Sequence, residues 1–277
     1  MDHTIFRGFR CLRKRSRFII VKKTFLSLLL VVAGFWALAQ KQKVNYLTTF
    51  DDKLIHFGFS IGINALDFNV VNYSNILEAG INSEDIPDLL KAIPLRDNGK
   101  YINADVAEII PGFTVGIITS LRLSKDLNLR FLPGLSFGER RLTYNVPIYD
   151  INDNYADGAN YYSIKSTFLD FPVLIKYKAR RINNDRPYII VGSAYRQDIS
   201  RTAKEDLVKL KSGGFYAELG GGWDHYFPFF RFSVEAKFSY GLNNQLGALP
   251  GGSQKSLYAK SIKDLRSKIF TLSFHFE

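Results

Sequence analysis

Apolar residues alternate with small or polar ones along most of the chain beyond residue 55. In the segment 56–64 every odd position is Phe or Ile, and every even position is His, Gly, Ser or Asn. This period of two predicts a β-strand, because successive side chains of a strand point to opposite faces. Eight such segments are found: 56–64, 112–123, 127–137, 169–178, 188–192, 213–223, 231–240 and a last one beyond residue 266.

The two faces of these strands differ in a consistent way. Phe232 and Val234 fall on one face of the segment 231–240, whereas Arg231 and Glu235 fall on the other. A soluble sandwich would turn its aromatic residues inward and leave its charges to water. Aromatic residues facing lipid, with charges in the lumen, are typical of an outer-membrane barrel. The predicted fold class is therefore all-β: a transmembrane antiparallel β-barrel of eight strands.

An eight-stranded barrel leaves an interior that side chains fill. The charges on the lumen face are therefore expected to form a paired polar core rather than line an open pore: Arg122, Arg130, Asp170, Lys176, Glu218, Asp224, Glu235 and Lys237. Aromatic residues near the strand ends suit the interfacial girdles of such a barrel: Tyr177, Tyr188, Trp223, Tyr226 and Tyr240.

The connections between the strands alternate in length. Long loops are expected at about 67–111, 145–166, 197–213 and 242–266, with short turns between them. Antiparallel strands place successive connections at opposite ends, so the long loops share one end. Long extracellular loops and short periplasmic turns are the arrangement of outer-membrane barrels. The first loop contains a candidate amphipathic helix, Ser83–Ile93, that would either pack over the barrel mouth or dock a partner.

The amino-terminal segment predicts export. Residues 1–23 are strongly basic, an apolar run follows from Phe25 to Leu38, and Ala37-Leu38-Ala39 fits a signal-peptidase site. The apolar run is short for a spanning helix, which needs roughly twenty residues. The expected organisation is a signal peptide at 1–39, a periplasmic lead-in at 40–55 and an outer-membrane barrel at 56–277.

Removal of this leader changes what the charge implies. The whole chain carries a formal net charge of +11, whereas the mature part has 29 basic and 25 acidic residues, or +4. No basic cluster with interleaved aromatic residues remains, so no nucleic-acid partner is expected. Cys11 is the only cysteine and leaves with the leader. Disulfides, thiol chemistry and a lipid anchor on a mature cysteine are thereby excluded.

Several motifs resemble catalytic or binding sites. The segments 58–62 and 134–138 both fit G-x-S-x-G, but both lie inside alternating strands rather than at the strand-to-helix turn that exposes a nucleophile. Ser60 and His56 are four residues apart, roughly 13 Å along a strand, so another strand would have to supply the base. The Gly-rich segment 247–256 lacks the spacing of a phosphate-binding loop. The four histidines, which are His3, His56, His225 and His275, show no metal-ligand spacing.

These observations predict a protein without catalytic, cofactor or metal sites and without a small-molecule substrate. Two other readings stay open at this point: a barrel lipid hydrolase or acyltransferase, and a small structural or porin-like barrel.

Two stretches of the chain resemble one known family. Phe50-Asp51-Asp52-Lys53, followed by 56–59 and 62–64, is similar to the start of the PorT proteins, called SprT in gliding bacteria. The segments 171–177, 181–184 and 188–192 resemble the central strand-turn-strand of that family. The positions that carry the resemblance, without a known role, are His56, Gly58, Gly62, Asn64, Pro172, Lys176, Tyr177, Asn183, Asn184 and Gly192.

The resemblance implies an outer-membrane barrel that is required for type IX protein secretion and, in gliders, for gliding motility. Its implied partners are outer-membrane lipid and other type IX secretion proteins, contacted through the surface loops, the lipid-facing wall or the periplasmic lead-in. One departure is that Phe276 is followed by Glu277, whereas barrels commonly end in an aromatic residue.

Overall fold

The computed structural model describes residues 44–73, 102–145, 161–200, 208–247 and 258–277. The predicted signal peptide (1–39) and the predicted helix (Ser83–Ile93) lie outside these residues. Contacts divide the chain into Met1–Val44 and Asn45–Glu277, and every strand belongs to the second unit. Within the described residues no helix has the length and apolar content to cross a bilayer.

Within the described residues, ten strands form a single antiparallel sheet, and a short 3₁₀ helix at Phe50–Asp52 precedes the first of them. The strands are β1 (Ile55–Asn72), β2 (Ala104–Ile109), β3 (Pro111–Arg122), β4 (Leu127–Phe131), β5 (Gly134–Tyr144), β6 (Tyr161–Lys178), β7 (Asp185–Asp198), β8 (Gly213–Tyr226), β9 (Arg231–Gly241) and β10 (Ile262–Phe276).

The sheet closes on itself, because β1 pairs with β10 on one side and with β3 on the other. The predicted count of eight strands is wrong by two, since two positions around the wall are each divided in two. β3 pairs with both β4 and β5, and β6 pairs with both as well, so β4 and β5 are two halves of one position. β2 extends the position of β3 toward the cell surface, where it pairs with β5. A proline accompanies each break, Pro111 and Pro133, and proline cannot donate to a strand ladder.

The strands extend further toward the cell surface than the alternation predicted. β1 continues to Asn72, β6 begins at Tyr161 and β10 begins at Ile262, so the loops expected at 67–111, 145–166 and 242–266 are shorter. The loop expected at 197–213 is nearly as predicted, between Asp198 and Gly213. Beyond the bilayer the outward face meets water rather than lipid, so the contrast between the two faces weakens there.

The outward face forms an apolar band. On β1 this band runs from Phe57 to Ala65, which is about 27 Å along the strand and about 21 Å along the membrane normal at a tilt near 40°. Tyr177 and Trp223 face outward as predicted for the girdles, and each is about half exposed. Tyr188 and Tyr226 do not: both turn inward and are buried, because their positions along the strand place them on the lumen face.

A hydrophobic cluster fills the cell-surface end of the lumen. It joins side chains from several strands with residues that precede β8 and β10: Phe68, Ile102, Ala104, Leu142, Tyr144, Val208, Tyr258, Ala259, Ile262 and Leu265. The described residues therefore build an apolar core at this end, and most of the ion-paired side chains lie elsewhere in the interior.

Candidate functional site: the filled lumen and its periplasmic mouth

The middle of the lumen holds one network of ion pairs. Arg196 lies 3.1 Å from Asp170 and 2.6 Å from Glu218. Lys237 approaches the second oxygen of Glu218 at 3.1 Å, and the Ser136 hydroxyl donates to Asp170. These residues come from five strands, so the network joins the wall across its interior.

A second network lies closer to the periplasm. Arg130 contacts Glu235 at 2.7 Å and Glu277 at 3.0 Å, and Arg231 pairs with Glu277 as well. Lys176 donates to both oxygens of Asp224 at 2.7 Å. All these side chains are essentially inaccessible to solvent, and charges in such an environment are tolerated only when they are paired.

The predicted paired core is confirmed for seven of its eight residues. Arg122 is the exception: it lies at the periplasmic rim, where it contacts Asp52 at 3.4 Å. The void between the two networks measures about 30 Å³, the share of one water molecule in the liquid. In the part of the chain that the structure describes, the lumen is filled rather than open.

The periplasmic mouth is closed by the lead-in, whose described part is 44–54. Asp51 enters the mouth and meets three cations, with Arg186 at 3.0 Å, Lys178 at 3.3 Å and Arg231 at 3.4 Å. The Tyr226 hydroxyl also donates to Asp51 at 2.6 Å. Burial alone would raise the pKa of the Asp51 carboxyl, but Lys178, the Tyr226 hydroxyl and the two arginines hold this pKa well below its ordinary value.

Aromatic stacking supports the same insertion. The Phe50 ring stacks on the buried His56 ring with centroids 4.2 Å apart and meets the edge of Tyr226 at 6.3 Å. The Arg231 guanidinium also lies over the Phe50 ring, 4.8 Å from its centroid. Phe50 and Asp51 are therefore both fixed by the strand residue Arg231.

The backbone of the lead-in is held by the turn between β6 and β7. The Asn184 side-chain oxygen accepts from the Tyr46 N–H at 2.9 Å. Arg181 donates to the carbonyl oxygens of Tyr46 and Leu47. Asn183 has a φ of 55°, a left-handed conformation that asparagine tolerates better than most residues. This turn thus holds the lead-in backbone at Tyr46 and Leu47.

The positions that carry the family resemblance fall into two groups. His56, Lys176, Asn183 and Asn184 gather at the mouth or directly above it, together with the 50–53 segment. The others lie in the wall.

In the wall, Asn64 donates to the Phe113 carbonyl at 2.9 Å, and Tyr177 faces outward. Pro172 lines the small central void. Gly58, Gly62 and Gly192 lie against neighbouring strands. At Gly62 a Cβ atom would approach the Leu272 carbonyl to 2.7 Å, so the close approach of β10 requires a glycine there.

The two serines of the hydrolase interpretation are buried inside the barrel, away from the outer-leaflet lipid on which such an enzyme would act. Both G-x-S-x-G segments lie within strands, β1 and β5, and Ser60 and His56 are buried lumen-facing side chains. The residue opposite Ser60 is His275, which approaches Glu235 at 3.4 Å. Among the described residues no group of three or more His, Cys, Asp or Glu is placed to hold a metal ion.

The sequence analysis gave no structural role to several important residues, although three of them lie in segments that it singled out. Asp51, Lys178, Arg186 and Glu277 all belong to the mouth or to the network above it. Lys178 and Arg186 continue the even-numbered lumen face of β6 and β7, so strand parity could have identified them. No periodicity could have identified Asp51, because it lies in a 3₁₀ turn before the first strand.

Comparison with known proteins yields one family and several distant structural likenesses. Residues 38–247, more than half of the chain, match the family described as "Outer membrane protein beta-barrel domain". No curated protein matches the chain.

Solved structures similar to this chain include Ail, the attachment invasion locus protein of Yersinia pestis, in complex with the heparin analogue sucrose octasulfate. That likeness has 12% identity and a TM-score of 0.32, covering 81% of this chain and 98% of Ail. OprG from Pseudomonas aeruginosa has 10% identity and a TM-score of 0.36, covering 80% of this chain and 93% of OprG. Neisserial surface protein A has 9% identity and a TM-score of 0.34, covering 80% of this chain and 98% of that protein.

Proposed function

We propose, for a chain that belongs to the outer membrane protein beta-barrel domain family and lies in the outer membrane, a role as a non-enzymatic component required for type IX protein secretion. Where the bacterium glides, the same role extends to gliding motility. The protein acts through contacts with other secretion components rather than through chemistry of its own.

The observation that carries this proposal is where the family-like residues meet. The 181–184 turn is more than a hundred residues away in the sequence from the 50–53 segment and His56. They nevertheless form one assembly, in which Asn184 and Arg181 hold the lead-in while Phe50 stacks on His56. This meeting of the residues on which the resemblance to PorT and SprT rests supports the proposal.

The filled lumen supports a role in contacts. Two layers of ion pairs and the inserted Asp51 fill the described interior, and the void between the two layers measures about 30 Å³. An exported protein could not pass through such an interior. Other secretion components would therefore contact the outer surfaces of the barrel. Its periplasmic surface carries the ordered lead-in.

Deletion of the gene tests the proposal directly. Secreted proteins are compared by mass spectrometry between the parent, the deletion strain and the complemented strain, with an outer-membrane integrity control. Accumulation of large exported proteins in the periplasm, with an intact envelope, is expected. An unchanged set of secreted proteins would refute the secretion role. The acyl pattern of lipid A, measured in the same strains, is expected to stay unchanged, and an altered pattern would favour lipid chemistry instead.

Point variants test whether the mouth is the part that matters. Complementation with Arg181→Ala, which loses its bonds to the lead-in backbone, is expected to restore the barrel but not full secretion. Arg180→Ala is the matched control, because Arg180 is an exposed neighbour in the same turn. Equal secretion by the two variants would remove the mouth from the proposal.

A further inference from the structure

The turn between β8 and β9, at the periplasmic end of the barrel, is made of the apolar sequence Phe-Pro-Phe-Phe (227–230). Phe229 is 93% exposed, and the other two rings of the turn are each 39% exposed. The other two described turns at this end carry charges: Lys125 and Asp126 lie between β3 and β4, and Arg180 and Arg181 lie between β6 and β7. The β8–β9 turn therefore presents a different surface from its neighbours.

This turn has a fixed base. The Phe227 N–H donates to the Phe230 carbonyl at 2.9 Å, and the rings of the same two residues stack with centroids 5.0 Å apart. Pro228 has its φ fixed near −65° by its own ring. Phe229 is thus held on a preformed turn, and its exposure does not result from a loose chain.

Ring contacts join the turn to the outward face of the wall. The Phe230 ring lies 6.1 Å from that of Phe276, and the Phe227 ring lies 6.4 Å from that of Phe232. Phe276 in turn contacts Phe232 at 5.2 Å and stacks on Phe59 at 4.8 Å. Because these wall residues face lipid, the rings of the turn continue the lipid-facing surface of β1, β10 and β9.

The register of the strands gives the height of the turn. Direct pairings that begin at Ala65 pass once around the barrel and return to β1 at Ile55, ten residues closer to the periplasm. From β1 to β10 to β9, direct partners therefore step toward the periplasm by about 3 Å per strand along the membrane normal. Phe232 is two such steps from Phe59, so it lies close to the level of Phe57.

Phe230 lies two residues below Phe232, or about 5 Å along the normal at a tilt near 40°. Its level is therefore close to that of Ile55, which is an outward-facing residue that is 46% exposed. From Ile55 to Ala65 the outward face of β1 spans about 25 Å along the normal, which is the height of the apolar band of an outer-membrane barrel. The turn thus begins at the lower edge of this band.

We propose that the β8–β9 turn inserts into the periplasmic leaflet of the outer membrane, with Phe229 among the phospholipid headgroups and upper acyl segments. Aromatic rings favour this interfacial zone. Phospholipid rather than a protein is the partner of the exposed rings, because they continue a wall that already faces lipid and lie at the level where its apolar band ends. The proposal does not depend on the type IX assignment.

Insertion of this turn would also position the periplasmic mouth. Tyr226 directly precedes the turn, and its hydroxyl donates to Asp51 of the lead-in at 2.6 Å. The Tyr226 N–H donates to the Asn184 carbonyl at 2.8 Å, which links the turn to the segment that holds Tyr46. One side of the mouth is thereby fixed at the membrane surface.

Spin labelling of the full mature chain tests the location. The mature chain contains no cysteine, because Cys11 lies in the predicted signal peptide. Phe229→Cys receives a nitroxide label in phospholipid nanodiscs, and power saturation compares collisions with oxygen, which concentrates in lipid, and with the water-soluble complex NiEDDA. Lys125→Cys is the matched control in an exposed charged turn, and Val191→Cys, on the outward wall, reports the hydrocarbon.

The ratio of oxygen to NiEDDA accessibility at position 229 is expected to exceed that at position 125 by about threefold or more and to stay below that at position 191, as an interfacial location requires. A second measurement keeps an aromatic ring at the site. Phe229→Trp, in a Trp223→Phe background that removes the only tryptophan of the mature chain, should be quenched by phospholipid brominated on its acyl chains. Lys125→Trp in the same background should not be quenched.

The two measurements decide the proposal. Preferential contact with oxygen at position 229, together with quenching of Phe229→Trp, supports insertion into the leaflet. Accessibility at position 229 equal to that at position 125 would overturn it, because the turn would then lie in water. Shielding from both oxygen and NiEDDA would also overturn it, since a second copy of the chain would then cover the rings. Should either variant at position 229 fail to fold, the other decides.

Discussion

Replacement of Asp51 by Asn is expected to release the lead-in from the periplasmic mouth while the barrel stays folded. Asparagine keeps the shape of the side chain and can still accept from the Tyr226 hydroxyl. It removes the negative charge that three cations share. Lys178 is affected most, because its side chain is only 1% exposed and Asp51 is its ion-pair partner among the described residues.

The size of the effect follows from burial. Breaking a fully buried ion pair by removing one partner costs about 3–5 kcal/mol. The Asp51 side chain is 17% exposed, and Arg231 and Arg186 keep Glu277 and Asp126 as other partners. A loss of about 2–3 kcal/mol is therefore expected, which is roughly a 30- to 150-fold increase in the population with the lead-in displaced.

Hydrogen exchange measured by mass spectrometry reports this population directly. The lead-in amides of Tyr46, Phe50, Asp52 and Lys53 are all hydrogen-bonded in the seated state. In the variant their exchange should accelerate by about the same 30- to 150-fold, since exchange follows the free energy of local opening. Peptides from β8 and β9 should exchange as in the wild type.

Asp52→Asn is the control for charge without burial. Asp52 is the adjacent acid, its side chain is 70% exposed, and its contact with Arg122 at 3.4 Å lies at the surface. Its replacement should cost no more than about 0.5 kcal/mol. Equal exchange in the Asp51 variant and the wild type, or an equal effect of the two substitutions, would refute the reasoning that buried charge holds the lead-in.

Three further predictions concern the lumen and the mouth. Lys176→Met should lower barrel stability by about 3–4 kcal/mol, because Asp224 is left buried without its closest cation. Urea unfolding followed by heat-modifiable gel mobility measures this loss. Lys165→Met is the exposed control, and equal losses of stability in the two variants would contradict the prediction. Because the pKa of Asp51 lies below its ordinary value, its contribution is fully present above about pH 4 and disappears only as the pH falls further; lead-in exchange, corrected for the intrinsic rate, should accelerate below about pH 4 more in the wild type than in Asp51→Asn, and an equal acid response of the two proteins would be contrary evidence. In planar bilayers the purified protein should show no steady ion conductance, since paired and buried side chains fill the described lumen; a stable open level would disprove the filled lumen.

The alternation of residue types correctly predicted the strands of the barrel wall and their two faces. The reason is that the bilayer requires apolar side chains and the lumen accepts polar ones, so neighbouring residues in a strand differ in type. Phe232 and Glu235 are examples, with the first on the outward face and the second in the Arg130 pair. Tyr188 shows where residue type misleads: as an aromatic residue near a strand end it suited the membrane interface. Its even-numbered position instead places it in the lumen, where its hydroxyl donates to Glu235 at 2.8 Å.

The contacts at the periplasmic mouth could not be predicted from the periodicity of the sequence. Asp51 meets partners 127, 135 and 180 residues away in the chain. Such a meeting depends on how the closed barrel brings strand ends together, and a local period carries no information about that. The extension of strands above the membrane was missed for a related reason, because alternation is sharp only where one side of the wall is lipid.

The ion pairs in the lumen also impose an order on assembly. Arg130 finds Glu235 105 residues later in the sequence, and its second partner, Glu277, follows the strand that seals the barrel against β1. A partly inserted sheet holds these cations without their anions, so its concave side must stay hydrated until β10 arrives. A slip of one residue in any strand would turn charges toward the acyl chains. Water can leave the lumen only when all strands are paired in register, because only then do the buried charges meet their partners. Formation of the lumen ion pairs therefore selects correctly assembled barrels.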